Sequence, residues 1–282
     1  MSIITFWSNT DKPTGQTMSL AAIATSMAIS HNCKILVIST MYNDDTLELC
    51  FGGLEKNKQL LKKIMQSTTV AVDNGIEGLG KVAYSDRLSP DIIQNYTNVI
   101  YKNRLEVLYG YKEIENRPTK EEYLKMKNKY KDIILNASKV YDMVFVDVEK
   151  GLDNDFVKQI LKISDVVVVN VEQKINMING VHNLINSNLK NNNFILNIGR
   201  FDSFSKYSVK NISRYLGIKK SDISVIPYNT LYFESASEKK VADLFLKMRN
   251  VDEGDRNFTF VKNVKDAVEK IDYKIQEIQM NM

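Results

Sequence analysis

The sequence predicts a three-layer, doubly wound α/β domain with a mostly parallel sheet and helices on both faces. Three observations predict it. Strand-like and helix-like segments alternate along all 282 residues. The strands Met143–Asp147 and Val166–Asn170 are apolar without alternation, as strands covered on both faces are. The intervening segments carry helical periodicity, as the crossovers of a parallel sheet do. No Pro-, Gly- and Ser-rich linker, repeat or low-complexity tract divides the chain, so a single domain over 1–282 is expected.

In order, Ile3–Trp7 reads as a strand, Thr17–Ser30 as an Ala-rich helix and Lys34–Ser39 as a buried strand. Leu54–Gln66 reads as a helix, and Ser89–Lys102 as another, with Pro90 in its first turn where a missing N–H is harmless. Asp73-Asn74-Gly75, Gly78 and Gly80 mark turns between them, and 67–103 is the expected site of an insertion or lid. Leu105–Tyr109 is a short strand. Thr119–Ser138 is a helix, because Thr119 and Glu122 form a capping-box pattern and Tyr123, Tyr130, Ile134 and Ala137 keep its period. After Met143–Asp147 come a helix Leu152–Ile163, the strand Val166–Asn170, a helix Ile175–Leu189 and a strand Phe194–Ile198. Tyr207–Leu216 is helical, Ser224–Ile226 is a strand ending at Pro227, and helices Glu238–Met248 and Val261–Met280 close the chain. The last carries Val264, Val268, Ile271, Ile275 and Ile278 on one face of an amphipathic helix over 261–280. Its other face mixes lysines with carboxylates, so packing against the domain or a partner is expected rather than a seat on lipid.

Composition narrows the function. The chain is 44% hydrophobic and 26% charged, ordinary values for a globular protein with a real core. Cys33 and Cys50 are too few for a disulfide framework, and no stretch resembles a leader or a spanning helix, so a cytoplasmic protein is expected. Net charge is +4, from 38 Lys and Arg against 34 Asp and Glu. The lysine clusters at 56–63 and 125–131 read as solvated helix faces, and anchoring to DNA or a membrane surface is not called for by charge alone. His31 and His182 are isolated, so neither a Cys/His metal site nor a hydrolase triad has material to build on.

The chemistry concentrates at two strand ends. Ile3–Trp7 feeds the loop Ser8-Asn9-Thr10-Asp11-Lys12-Pro13-Thr14-Gly15-Gln16-Thr17, which opens a helix. That order is the layout of a phosphate-binding loop, where backbone N–H groups and a helix N-terminus face an anion. Against G-x-x-x-x-G-K-[ST], Gly15 and Thr17 fit, Thr10 stands for the first glycine and Gln16 for the lysine. Gly15, Gln16 and Thr17 are thus candidates to hold phosphate. Thr17 is also placed to offer its hydroxyl to Mg²⁺, while Gln16 brings no charge. Lys12 is the nearby cation and a candidate catalytic residue. The strand ending in Asp147 is how a Walker-B-type carboxylate reaches Mg²⁺. Trp7, beside the loop, is expected in the core.

Tyr141-Asp142-Met143-Val144-Phe145-Val146-Asp147-Val148-Glu149-Lys150-Gly151 resembles the "YD-apolar-apolar-apolar-D-x-x-x-G" segment of the ParA/MinD family of deviant Walker A P-loop ATPases, a family that includes CpaE-like pilus-assembly proteins. Ser164-Asp165-Val166-Val167-Val168-Val169, Ile195-Leu196-Asn197 and Val225-Ile226-Pro227-Tyr228 resemble three further family segments in order and spacing. The resemblance implies a P-loop NTPase-like fold, an ATP and Mg²⁺ site at the sheet's carboxyl edge, and a nucleotide-sandwich homodimer that engages membrane, DNA or a protein partner. By position it gives Thr17 and Asp147 to the metal, Asn197 to adenine, and Pro227 and Tyr228 to the base pocket. Three departures fall on charge-handling positions. Gln16 replaces the loop lysine, Asp11 stands where the signature lysine would, and Ser39-Thr40-Met41 replaces an acidic pair, with Asp44 and Asp45 downstream. The expected protein is therefore a ParA/MinD-like regulatory or assembly protein with weak or absent ATPase activity. It acts through a partner and a dimer in positioning, pilus or secretion assembly, or DNA segregation, with peripheral membrane attachment left open. The alternatives are an active ATPase with a rearranged loop using Lys12, and a nucleotide-free scaffold.

Overall fold

The computed structural model describes residues 1–52, 75–112, 119–151, 154–187 and 193–280. Eight strands form one sheet: β1 (Ser2–Trp7), β2 (Ile35–Ser39), β3 (Asn98–Tyr101), β4 (Leu105–Leu108), β5 (Met143–Asp147), β6 (Val166–Val171), β7 (Phe194–Phe201) and β8 (Ile223–Pro227). Their order is β3-β4-β2-β5-β1-β6-β7-β8, parallel throughout except for the antiparallel edge pair β3–β4. The described helices are α1 (Gln16–Ser30), α2 (Thr46–Phe51), α3 (Gly75–Tyr84), α4 (Pro90–Ile93), α5 (Lys120–Ala137), α6 (Asp155–Ile163), α7 (Ile175–Ser187), α8 (Val209–Leu216), α9 (Thr230–Ser237), α10 (Val241–Lys247) and α11 (Phe258–Met280). This is the three-layer α/β fold read from the sequence.

Two hydrophobic cores sandwich the sheet. One joins α3, α5, α6, α7 and α8 to one face, through residues such as Leu79, Tyr130, Ile160, Val181 and Ile212. The other joins α1, α2, α9, α10 and α11 to the opposite face, through Leu20, Ala24, Leu47, Tyr232, Val241 and Val264. Alternate residues of β1 serve each core: Ile3 and Trp7 the first, Ile4 and Phe6 the second. That division explains why the central strands are apolar on both faces. Helix α1 is apolar nearly all round because the sheet covers one side and α10 and α11 the other. The apolar face of α11 is spent the same way. Val264, Val268, Ile271 and Ile275 are buried, and the helix packs on α1 and β8. Among the described residues no helix is long and apolar enough to cross a membrane.

The structure departs from the sequence reading between 75 and 103. Residues 75–84 form a helix where three glycines suggested turns. Ile76, Leu79 and Ala83 bury its inner face, and a Cβ on Gly80 would lie 2.4 Å from Met126 Sδ. The glycine is there for close approach of α3 to α5, not for a turn. The expected helix Ser89–Lys102 holds only in α4 and a following 3-10 turn. Beyond it Asn98–Tyr101 is β3, because Val99, Ile100 and Tyr101 favour strand and Asn103, at φ +60°, turns the chain back into β4. The expected helix Leu54–Gln66 lies outside the described residues. The capping box at Thr119 and Glu122 is formed in both directions. Helices α2 and α9 have no counterpart in the sequence reading, being six and eight residues long.

Candidate nucleotide site

The sheet's carboxyl edge brings the two strand ends together. Phe6 on β1 and Ser39 on β2 both lie opposite Asp147 on β5, so the loop leaving β1 passes over that carboxylate. Trp7 Nε1 donates to the Gly151 carbonyl at 3.0 Å, and Gly151 N–H donates to the Ser8 carbonyl at 2.9 Å. These two bonds lace the loop after β1 to the turn after β5. Thr40 braces the same turn: its N–H donates to the Asp147 carbonyl at 2.9 Å, and its hydroxyl accepts from Glu149 N–H at 3.2 Å. The loop ends at Gly15, which caps α1 at φ +74° and ψ +18°, a left-handed conformation glycine adopts without strain.

Gln16, Thr17 and Asp147 form one buried knot. Gln16 Nε2 donates to Asp147 Oδ1 at 2.7 Å and to the Val148 carbonyl at 2.8 Å. Thr17 Oγ1 donates to Asp147 Oδ2 at 2.7 Å. Both partners of the Gln16 nitrogen are acceptors, so the amide orientation follows from the network, and Oε1 is left buried without a partner. Asp147 is fully buried. Burial pushes its carboxyl up to about 6, against the lowering effect of the bonds from Gln16 and Thr17. The side chain in the lysine position therefore points back at β5 and is occupied there.

Beside the knot opens a cavity of about 400 Å³, lined by Gly15, Met18 and Ser19 of the loop and α1, Arg200 at the end of β7, and the turn after β8 with Pro227 and Tyr228. Tyr232 and Phe233 of α9 complete its aromatic side. Gly15, Pro227 and Tyr228 thus meet in one place, while Gln16, Thr17 and Asp147 meet beneath it. Two candidates lie elsewhere. Lys12 is exposed on the outer turn of the loop, and among the described residues its ammonium makes no ion pair or hydrogen bond. Asn197 is fully buried within the sheet, where its Nδ2 donates to Asn170 Oδ1 at 2.9 Å and its Oδ1 accepts from Ser224 Oγ at 3.0 Å. Asn170 in turn donates to the Trp7 carbonyl, so a polar file crosses β1, β6, β7 and β8. Arg200 is the residue of β7 that reaches the cavity. The sequence reading ended that strand at Ile198, and nothing in the bare sequence distinguishes Arg200 from a surface arginine.

A nucleotide fits these residues. The left-handed Gly15 presents the first turn of α1, whose N–H groups have no intrahelical acceptors. Thr14 Oγ1, one residue earlier, is buried without a partner and can donate to a phosphate oxygen. The flat apolar surfaces of Pro227, Tyr228, Tyr232 and Phe233 suit a base. Thr17 and Asp147 bond to each other, so a divalent cation would enter by opening that pair and would take its other oxygens from phosphate and water.

Fold and edge together have the layout of a P-loop NTPase-like fold: a mostly parallel sheet, a glycine-ended loop opening a helix after β1, and a buried aspartate ending the neighbouring strand. Solved structures place it further. A ParA family ATPase from Chlorobium tepidum superposes with a TM-score of 0.69 over 95% of this chain and 98% of its own, at 14% identity. The cell-division ATPase MinD from Pyrococcus furiosus gives 0.67 over 96% and 98%, at 15% identity. The septum site-determining protein MinD from Pyrococcus horikoshii, complexed with Mg-ADP, gives 0.63 over 97% and 98%, at 14% identity. The chain has the ParA/MinD fold over nearly its whole length. No protein-family model matches the chain, and no curated protein does.

Proposed function

We propose that this chain is a ParA/MinD-type regulatory or assembly protein that holds an adenine nucleotide without turning it over and acts by binding a protein partner. One observation carries the reading: Gln16, in the lysine position, spends its amide nitrogen on Asp147 and Val148. Catalysis of phosphoryl transfer rests on positive charge placed against the transferring group. Here the loop position that would supply it is neutral and turned away, and Lys12 is exposed on the far turn. Binding needs less. The N–H groups at the start of α1, those of Gln16 and Thr17 among them, and the unpartnered Thr14 hydroxyl would hold phosphate; Pro227, Tyr228, Tyr232 and Phe233 would hold the base. The MinD structure complexed with Mg-ADP has this fold and supports a nucleotide ligand for this chain.

This reading predicts saturable ADP binding of equal strength with Mg²⁺ and with EDTA, measured by titration calorimetry on the full chain. A strong dependence on Mg²⁺ would mean that the Thr17–Asp147 pair opens to a metal. Absence of binding by both ADP and ATP would leave a nucleotide-free scaffold. The likeness to the ParA family ATPase and to the cell-division ATPase MinD supports a partner-binding mode of action, in positioning, assembly or segregation, and the sequence resemblance supports a dimer.

A further inference from the structure

We propose that Arg200 supplies to the bound phosphates the positive charge that the loop lacks at Gln16. The inference rests on the nucleotide reading above and adds a residue to it. It starts from how β7 meets the loop. A Cβ on Gly199 would lie 2.3 Å from the Thr14 carbonyl oxygen and 3.7 Å from Gly15 Cα, so only glycine lets the strand press its backbone onto the loop. Arg200 is the next residue. It sits where the pairing of β7 with β8 shifts register between Gly199 and Phe201, at φ +51°. A bulge of this kind re-aims a side chain. Left-handed backbone at a residue other than Gly, Asn or Asp is uncommon, and such strain gathers where a ligand is clamped.

Arg200 and Gly15 line the same cavity. The side chain is 57% exposed, and its guanidinium is held at 3.3 Å by Glu172, just past the end of β6. Glu172 has a second cation, Lys174, at 2.5 Å. When Arg200 turns toward phosphate, Glu172 therefore stays paired, so the exchange does not strand a buried charge. Arginine suits the role because its charge is permanent and its donors match two phosphate oxygens at once. Gly15, Met18 and Ser19 line the loop side of the same cavity, and the unpartnered Thr14 hydroxyl is one residue before Gly15.

The test is calorimetric titration of ADP and of adenosine, in EDTA, into the full chain and its Arg200→Gln and Arg200→Lys variants. The expected result is ADP binding weakened about ten- to a hundredfold in Arg200→Gln. Adenosine binding stays unchanged and Arg200→Lys recovers part of the loss. ADP binding equal to that of the unmodified chain overturns the inference. So does an equal weakening of ADP and adenosine, which would mean that Arg200 only shapes the pocket. If the unmodified chain binds neither, the nucleotide reading itself fails and this inference falls with it.

Discussion

Replacing Asp147 with asparagine stabilises the protein at pH 8 by about 2–3 kcal/mol, an unusual sign for a change to a fully buried polar residue. The reason is linkage. Burial raises the carboxyl of Asp147 from an ordinary 3.8 to about 6 in the folded chain. Below about pH 4 both folded and unfolded chains hold the proton, and the residue contributes its full stability. As pH rises, the unfolded chain releases the proton first. Stability is then lost until the folded carboxyl has ionised too, above about pH 6–7. Asp44 adds to the rise and Lys150 opposes it, both more weakly than burial. Asparagine stays neutral at every pH, and it also satisfies the neighbours. Its oxygen accepts from Gln16 Nε2, and its nitrogen donates to Thr17 Oγ1 once that hydroxyl rotates. Urea unfolding at pH 4 and pH 8, in EDTA, checks this. The variant and the unmodified chain should agree at pH 4 and diverge at pH 8. A variant less stable at pH 8 would mean that the ionised carboxylate's hydrogen bonds outweigh its burial.

Gln16→Lys is the second large effect. The new ammonium replaces an amide whose nitrogen already sits 2.7 Å from Asp147 Oδ1, so it meets a carboxylate rather than an apolar wall. A paired charge there also favours the ionised form of Asp147. When the ammonium turns from Asp147 to the phosphates, ATP affinity rises about ten- to a hundredfold. Phosphate release rises from background by about a hundredfold, the scale of one well-placed transition-state donor. Titration calorimetry and a coupled phosphate assay read the two effects. Tighter binding without turnover would place the missing chemistry elsewhere, at the displaced Asp44 and Asp45 for instance.

Much of the fold could be read from the chain because its central strands carry strong local signals. Met143–Asp147 is apolar at every position before its terminal carboxylate, and Thr119 announces its helix with a complete capping box. Signals that depend on distant neighbours were not readable. Gly80 looks like a turn residue until α5 is seen against it, and Asn98–Tyr101 becomes a strand because β4 is there to pair with it. The site divides the same way. Gly15, Thr17, Asp147, Pro227 and Tyr228 lie next to punctuation in the sequence: a loop, a strand end, a proline. Arg200 does not. Its place at the cavity follows from β7 running to Phe201 and from the contact of Gly199 with Thr14, both tertiary facts. Asn197 shows the converse. A matching letter in a strand carries no information on which way the side chain is engaged, and here the polar file across the sheet engages it.

The claim that this site holds nucleotide without hydrolysing it is tested most directly by the fate of one bound ATP. The protein is loaded with ATP in the presence of Mg²⁺, freed of excess nucleotide, held at 25 °C, quenched at intervals and its nucleotide separated by chromatography. Intact ATP recovered at every interval, at a constant ratio to protein, is the predicted result. Conversion of the bound ATP to ADP and phosphate within minutes would contradict it.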